Sequence, residues 1–292
     1  MTLQSVILTL LKVSIALSVF DLGLRARFAD ATYMFRHPRD LLRALLSMNV
    51  IMPLLALWMA LKFDLNPAVK IALVALSVSP VPPIFPRKAE KAGGSDEYSI
   101  GLLVAASVLA IVVIPITMWI FGRISDVPLQ VSARSVAMMV FMSVLAPLLV
   151  GIFLRAELPR FAEVFSEPIG KWATALLVLC AIPILLGSIK SFVSLVGDGT
   201  LLSFTAFALV GYFVGDALGR PEFEKRRVLA LATASRHPAI AIAIAHTNFP
   251  QQKLALPAIG LYLIVAAIVT GLASRRKPTG QAPTQPRERL AA

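Results

Sequence analysis

EFEKRRVLALATASRHPAIAIAIAHTNF, residues 222–249, is apolar enough to enter a membrane but cannot do so as one unbroken helix. Pro238 has no amide hydrogen, and its ring collides with the carbonyl four residues back. The helix therefore stops beside Arg236 and His237, giving halves over 223–235 and 238–248. A second stretch behaves in the same way. PAVKIALVALSVSPVPPIFPRKAEKAGG, residues 67–94, carries Pro80, Pro82, Pro83 and Pro86. It reads as a half-helix over 67–79, an unwound segment, and an amphipathic half from about 84 to 93. Unwound backbone at membrane depth is tolerated only where protein or a water-filled cavity surrounds it. Two such breaks therefore imply a packed interior with a purpose at that depth.

The rest of the chain supports a membrane setting. Of its 292 residues, 58% are hydrophobic and 15% charged, against about 45–50% and about 25% in soluble domains. A soluble fold, a disulfide scaffold and a disordered chain are excluded as whole-chain descriptions. The lone cysteine, Cys180, cannot form an intrachain disulfide. A spanning helix needs about 20 mostly apolar residues. Besides the broken spans beginning at 67 and 223, candidates lie at 3–24, 41–62, 97–121, 132–154, 168–189, 200–218 and 252–273. The expected class is an all-α polytopic membrane protein of about nine transmembrane helices. Lys12 near the middle of the first apolar run and Asp21 at its end argue against a cleaved signal peptide. The tail, 274–292, reads as disordered and cytoplasmic, being rich in charge and proline.

The formal charge of +12 does not make a nucleic-acid surface. With nine spans and the C-terminus inside, 20 basic residues fall on the cytoplasmic side, in the segments 25–43, 87–91, 155–171, 220–227 and 275–289. Six fall outside: Lys62, Lys70, Arg123, Arg134, Lys190 and Lys253. This is a positive-inside asymmetry, and it sets the N-terminus outside, the C-terminus in the cytoplasm and the protein in the plasma (inner) membrane. The implied partner surface is the lipid bilayer, with no nucleic acid.

Each broken span is followed by one more span before its half of the chain ends, and the two run in opposite directions. That is the mark of an inverted-repeat transporter with crossing broken helices. Half-helix N-termini, here near Ile84 and Ala239, suit anions. Arg236 sits at the second break, where an ionisable group costs roughly 2.5–3.5 kcal/mol to insert. It reads either as a partner for a substrate anion or substitute for a bound cation, or as a structural pair for a carboxylate or carbonyls. His237 reads as a proton relay or a structural hydrogen-bonder. Asn49, Ser79 and Thr233 are candidate polar lining. Lys12 can face a cavity or snorkel outward. Arg87, Lys88 and Lys91 read as interface anchors, His37 as an interface residue, and Asp216 as a partner for the basic residues of the loop beyond it. No HExxH, GxSxG, GxxxxGK[ST], CxxC or paired metal-ligand set is present, so no enzyme, metal or cofactor is expected.

FRHPRDLLRALLSMNVIMPLLALWMALKFDLNPAVKIALVALSVSP (35–80), followed by KAEKAGG, resembles the bile acid:sodium symporter family. So does RRVLALATASRHPAIAIAIAHTNFP (226–250), and the likeness is collinear over roughly residues 5–273. The resemblance implies ten helices, of which the first is read as missing here. It also implies a panel domain (helices near 3–24, 132–154 and 168–189) and a core domain (41–121 and 200–273). An amphipathic organic anion would bind between them, and movement of core against panel would give alternating access. The departures lie at the breaks. The family's first break is Gly-rich with Ser and Asn; here it is VPPIFP, 81–86. The acidic residue and the Gln-Asn pair of the second break fall at Ala232, Arg236 and His237. Ser99 alone remains of the sodium ligands, and a cation site with no carboxylate beside an arginine is electrostatically poor.

The expected function is secondary transport of a small organic anion, either uncoupled or proton-coupled through His237. The alternatives are a sodium-driven symporter with an altered cation site and a non-transporting receptor or complex subunit. Substrate identity and oligomeric state are not legible in the chain.

Overall fold

The computed structural model describes residues 3–125 and 129–274, and every regular element among them is a helix. Helix α1 (Leu3–Arg25) leads through short α2 (Phe28–Ala31) and α3 (Tyr33–Arg36) into α4 (Pro38–Leu45). A π-helical segment, Leu46–Ile51, joins α4 to α5 (Met52–Lys62) as one 25-residue span. The first broken helix is α6 (Pro67–Val78) and α7 (Phe85–Lys91), followed by α8 (Asp96–Ser125). The second half opens with α9 (Ala133–Val140), a π segment Phe141–Leu145 and α10 (Ala146–Glu157). Then come α11 (Pro159–Leu195), α12 (Thr200–Leu218), the broken pair α13 (Phe223–Ala234) and α14 (Pro238–Asn248), and α15 (Ala255–Ser274).

Seven helices among the described residues are long and apolar enough to cross a membrane, the α13–α14 pair counting as one. The other two expected spans correspond to α1, 23 residues long, and to α6 with α7. Both breaks fall within a residue or two of the positions that proline chemistry predicts. Each second half begins with proline in its first turn, Pro86 and Pro238, where no amide hydrogen is needed. Helix α6 starts equally locally: Pro67 follows Asn66, whose side chain accepts from the Ala68 amide at 2.9 Å. The span expected at 168–189 is longer, running from Pro159 to Leu195 through Pro168 and Pro183. Each π segment lies just before a proline, Pro53 or Pro147, and the wider turn accommodates the lost amide. Ser274 closes α15; the rest of the tail expected to be disordered, 275–292, lies outside the described residues.

Helices α1, α10 and α11 pack on one another. Helices α1 and α10 meet glycine on glycine: a Cβ on Gly151 would lie 2.8 Å from the Gly23 Cα. Helices α5, α6, α12, α14 and α15 form a second group, with α13 packed along α12. The buried apolar side chains fall into two clusters that span both groups, one including Leu73, Val140, Phe204, Phe207 and Tyr262, the other Leu22, Met34, Phe85, Tyr98, Leu148 and Leu229. The two breaks lie where these clusters meet. The α13–α14 span is 78% buried over its apolar window, whereas α11 is 6% buried. Leu54, Trp58, Val112, Trp119, Leu179 and Leu186 are exposed around the periphery, as side chains facing lipid would be.

Candidate functional site

The two breaks touch. The His237 amide donates to the Pro80 carbonyl at 2.8 Å, joining the unwound residues of one span to those of the other. Arg236 crosses in the same direction. Its guanidinium donates to the Ser79 carbonyl at 3.2 Å and the Met48 carbonyl at 3.4 Å, while Nε has no partner. Both carbonyls are freed by irregular backbone, one at the end of α6 and one in the first π segment. Arg236 is 1% exposed and forms no ion pair among the described residues. Of the two structural readings open to it, carboxylate or carbonyls, the structure takes the carbonyls.

The neighbouring polar residues make internal bonds. The Ser79 hydroxyl donates to the Ala75 carbonyl at 2.7 Å. The Thr233 hydroxyl bonds the Leu229 carbonyl at 2.8 Å and the Ser47 hydroxyl at 3.1 Å. Tyr262 donates to the Ala234 carbonyl at 2.9 Å, holding the last turn of α13. Ser79 and Thr233 are thus buried in the crossing, and Asn49 is half-buried in the first π segment. Ser47 and Tyr262 had no signal in the sequence beyond their residue type.

His237 differs from these. It is 2% exposed, and neither ring nitrogen has a hydrogen-bond partner. The residue borders a cavity of ≈ 690 Å³ between the second break and helices α1 and α9, with both ring nitrogens buried behind its wall. Lys12, Arg134, Met138, Met139 and Met142 line the same cavity. Ala239, in the first turn of α14, lines it too, so the open amides of that helix end border the space. The cavity takes in the second break and not the first. Two cations, a helix N-terminus and an unpartnered imidazole surround soft methionine surface, which suits a molecule with an anionic end and an apolar body. Lys12 faces this cavity. Arg134 was legible only as one of the few basic residues opposite the basic loops.

On the side of the basic loops, Arg87 and Lys88 correct the expectation of interface anchoring. Helix α7 is only seven residues long, so its first turn still lies inside the protein, and both side chains turn inward. Arg87 pairs with the buried Asp21 of α1, and the Lys88 ammonium donates to the Thr270 hydroxyl at 2.6 Å. Lys91 is exposed. His37 lies at the start of α4, stacked on the Tyr33 ring with centroids 4.0 Å apart. Asp216 pairs with Arg226 at 2.7 Å and Arg220 at 3.8 Å, as the loop charges suggested.

Comparison with known proteins points in one direction. The family model described as Sodium Bile acid symporter family matches residues 12–195. Sodium/bile acid cotransporter 4 of Mus musculus is 27% identical over 225 residues, covering 74% of this chain and 50% of the relative. The Homo sapiens protein of the same name is 26% identical over 227 residues, covering 74% and 51%. The chain thus spans about half the length of the curated relatives it matches.

Proposed function

The chain belongs to the Sodium Bile acid symporter family, a family of membrane transporters, and from that premise we propose that it carries an amphipathic organic anion by alternating access without a sodium site. The observation that carries the reading is the cavity in which unpartnered His237 and the start of α14 meet Lys12, Arg134 and the three methionines. An anionic group bound there would receive hydrogen bonds from the imidazole and helix amides and long-range attraction from the two cations. Its apolar body would lie on Met138, Met139 and Met142.

In this reading α1, α10 and α11, with α9, form the moving panel, and the helices around the two breaks form the core. The packing of these groups within themselves supports the division. Arg236 does not contact the anion. It supplies a fixed positive charge to the carbonyls of the crossing, in the region where the family would hold its cation. Ser79 and Thr233 stiffen that crossing, and Asn49 has a supporting place beside it. His237 is the group available for proton coupling, since it borders the cavity and neither ring nitrogen is tied up in a hydrogen bond. The charge asymmetry supports a plasma (inner) membrane protein with its N-terminus outside and its C-terminus in the cytoplasm.

The test is uptake of a bile-type anion into proteoliposomes, with the sodium gradient present, absent and replaced by potassium. Equal uptake in all three is expected. A strong requirement for sodium would overturn the sodium-free reading and favour a symporter with an altered cation site. Saturable binding without uptake under any gradient would overturn transport itself.

A further inference from the structure

We propose that Asp21 and Arg87, closed over Gly170, form the gate that seals the crevice between the two helix groups on the side of the basic loops. The proposal rests on the alternating-access reading and names the contact that such a cycle must break.

Asp21 lies on α1 and is 0% exposed, yet it is a carboxylate. Arg87, on α7, reaches it from the opposite helix group through Nη2. The same guanidinium donates through Nη1 to the Thr174 hydroxyl at 3.1 Å and the Gly170 carbonyl at 3.3 Å, both on α11. Helix α7 itself packs on α8 and α13, so Arg87 is the arm by which it grips α1 and α11. Arg25 also bonds Asp21, at 3.2 Å, but it sits one turn away on the same helix and bridges nothing.

Gly170 makes this approach possible. A Cβ there would lie 2.6 Å from Arg87 Nη2 and 3.0 Å from Asp21 Oδ2. A side chain there would have to push the guanidinium away from the carboxylate. Outside the pair, on the same face, lies a cavity of ≈ 730 Å³ bordered by Arg25, Lys91, Glu167 and Lys171. The cavity holding Lys12, Arg134 and His237 lies on the other side of the pair along α1. The contact therefore stands between two spaces that a substrate would have to connect.

Its physics suits a switch. While the crevice is shut, separating the pair leaves a fully buried carboxylate with Arg25 alone and no water, which is unfavourable. Once the helix groups part, water enters and hydrates both charges, so the open arrangement carries no such penalty. Intermediate separations are the costly ones, and two discrete states result.

The test reads solvent access and needs no substrate. Ser18, one turn before Asp21 on α1 and 4% exposed, becomes the reporter as Ser18→Cys in a Cys180→Ala background. A membrane-impermeant maleimide is applied in turn to each face of sealed vesicles. With the pair intact, labelling from the α7 face should be slow. Arg87→Gln, Asp21→Asn and Gly170→Ala should each raise it at least tenfold, and Arg25→Ala should leave it unchanged. Gly170→Ala preserves both charges and so serves where loss of either harms folding. Variants that keep wild-type elution and melting yet show no rise would overturn the gate, as would an Arg25→Ala effect equal to that of Arg87→Gln. Opening without any anion uptake supports the gate and counts against the transport reading. Uptake with no opening sinks the gate alone.

Discussion

Replacing His237 with Phe should remove a salt-resistant share of anion affinity, and replacing Lys12 and Arg134 with Met a salt-sensitive one. His237 is 2% exposed with both ring nitrogens buried and unpartnered, so on the proposed reading an anion that reaches them is bonded out of reach of bulk water. A hydrogen bond to a charged group contributes about 1.5–3 kcal/mol net, or roughly 10–150-fold in the dissociation constant. Lys12 and Arg134 are both exposed, so their attraction is screened. Exposed pairs are worth at most about 1 kcal/mol each, roughly fivefold apiece. At 1 M salt the Debye length falls to about 3 Å, and the cation share should shrink to roughly twofold, whereas the His237 share persists. The assay is equilibrium binding of a fluorescent amphipathic carboxylate to the purified protein at low and high potassium chloride. Size exclusion checks that each variant is folded. Binding by His237→Phe within twofold of wild type at both salt concentrations would refute the reasoning. So would complete loss of wild-type binding at high salt.

Three further outcomes follow from the packing. Arg236→Met removes two charged hydrogen bonds at 3.2 and 3.4 Å, worth about 3 kcal/mol together at the weak end of the range. It also relieves a buried, unpaired charge that costs several kcal/mol. Melting in detergent should therefore shift by only a few degrees while anion uptake falls more than tenfold, with no rescue by sodium. Gly151→Leu should lower the melting temperature clearly, because its Cβ would meet the Phe20 carbonyl at 2.5 Å and the Gly23 Cα at 2.8 Å. Overpacking typically costs about 1–3 kcal/mol, and Gly187→Ala, which opens onto free space, is the silent control in the same melting series. Asp216→Asn weakens the forked contact with Arg226, at 2.9 and 2.7 Å. Chemical denaturation should register a loss of about 1 kcal/mol with uptake unchanged.

The fold was legible because its deciding features are local. A proline cluster stops a helix wherever it occurs, so the ends of α6 and α13 and the start of α14 could be read from single residues. The long extension of α11 was not legible, since the added turns carry Arg160, Glu163, Glu167 and Lys190, which hydropathy places outside an apolar span. The site was legible in part. Arg236 and His237 stood out as polar groups at membrane depth, but the chain does not say which of two adjacent side chains faces a cavity. The structure turns Arg236 toward carbonyls and leaves the buried His237 ring without a hydrogen-bond partner beside the cavity. Asp21 and Arg87, 66 residues apart, had no signal that they would meet. Neither carries a motif, and the glycine that admits them belongs to a third helix. Contacts between distant helices depend on how the groups dock, which hydropathy and proline spacing do not encode.

The orientation of Arg236 bears on what can drive the carrier. A transporter coupled to sodium needs a cation that leaves, so that the crossing of its broken helices differs between loaded and empty states. Here the charge at the crossing is covalently tethered, and it bonds carbonyls from two other elements, Ser79 and Met48. The backbone bond from His237 to Pro80 fastens the same junction. On the proposed reading, a crossing held in this way keeps one geometry through the cycle, the core moves as a rigid body, and nothing at the breaks stores an ion gradient. A ligand shifts a conformational equilibrium only through its different affinity for the two states. The groups left to supply that difference are those that change surroundings when core and panel part: the cavity around His237 and the Asp21–Arg87 contact. The anion's own gradient, with or without a proton on His237, would therefore set the direction of transport. Preloading proteoliposomes with unlabelled anion should then accelerate uptake of labelled anion in the absence of any ion gradient. Failure to observe that exchange in vesicles that still bind the anion would count against a rigid, ion-independent core.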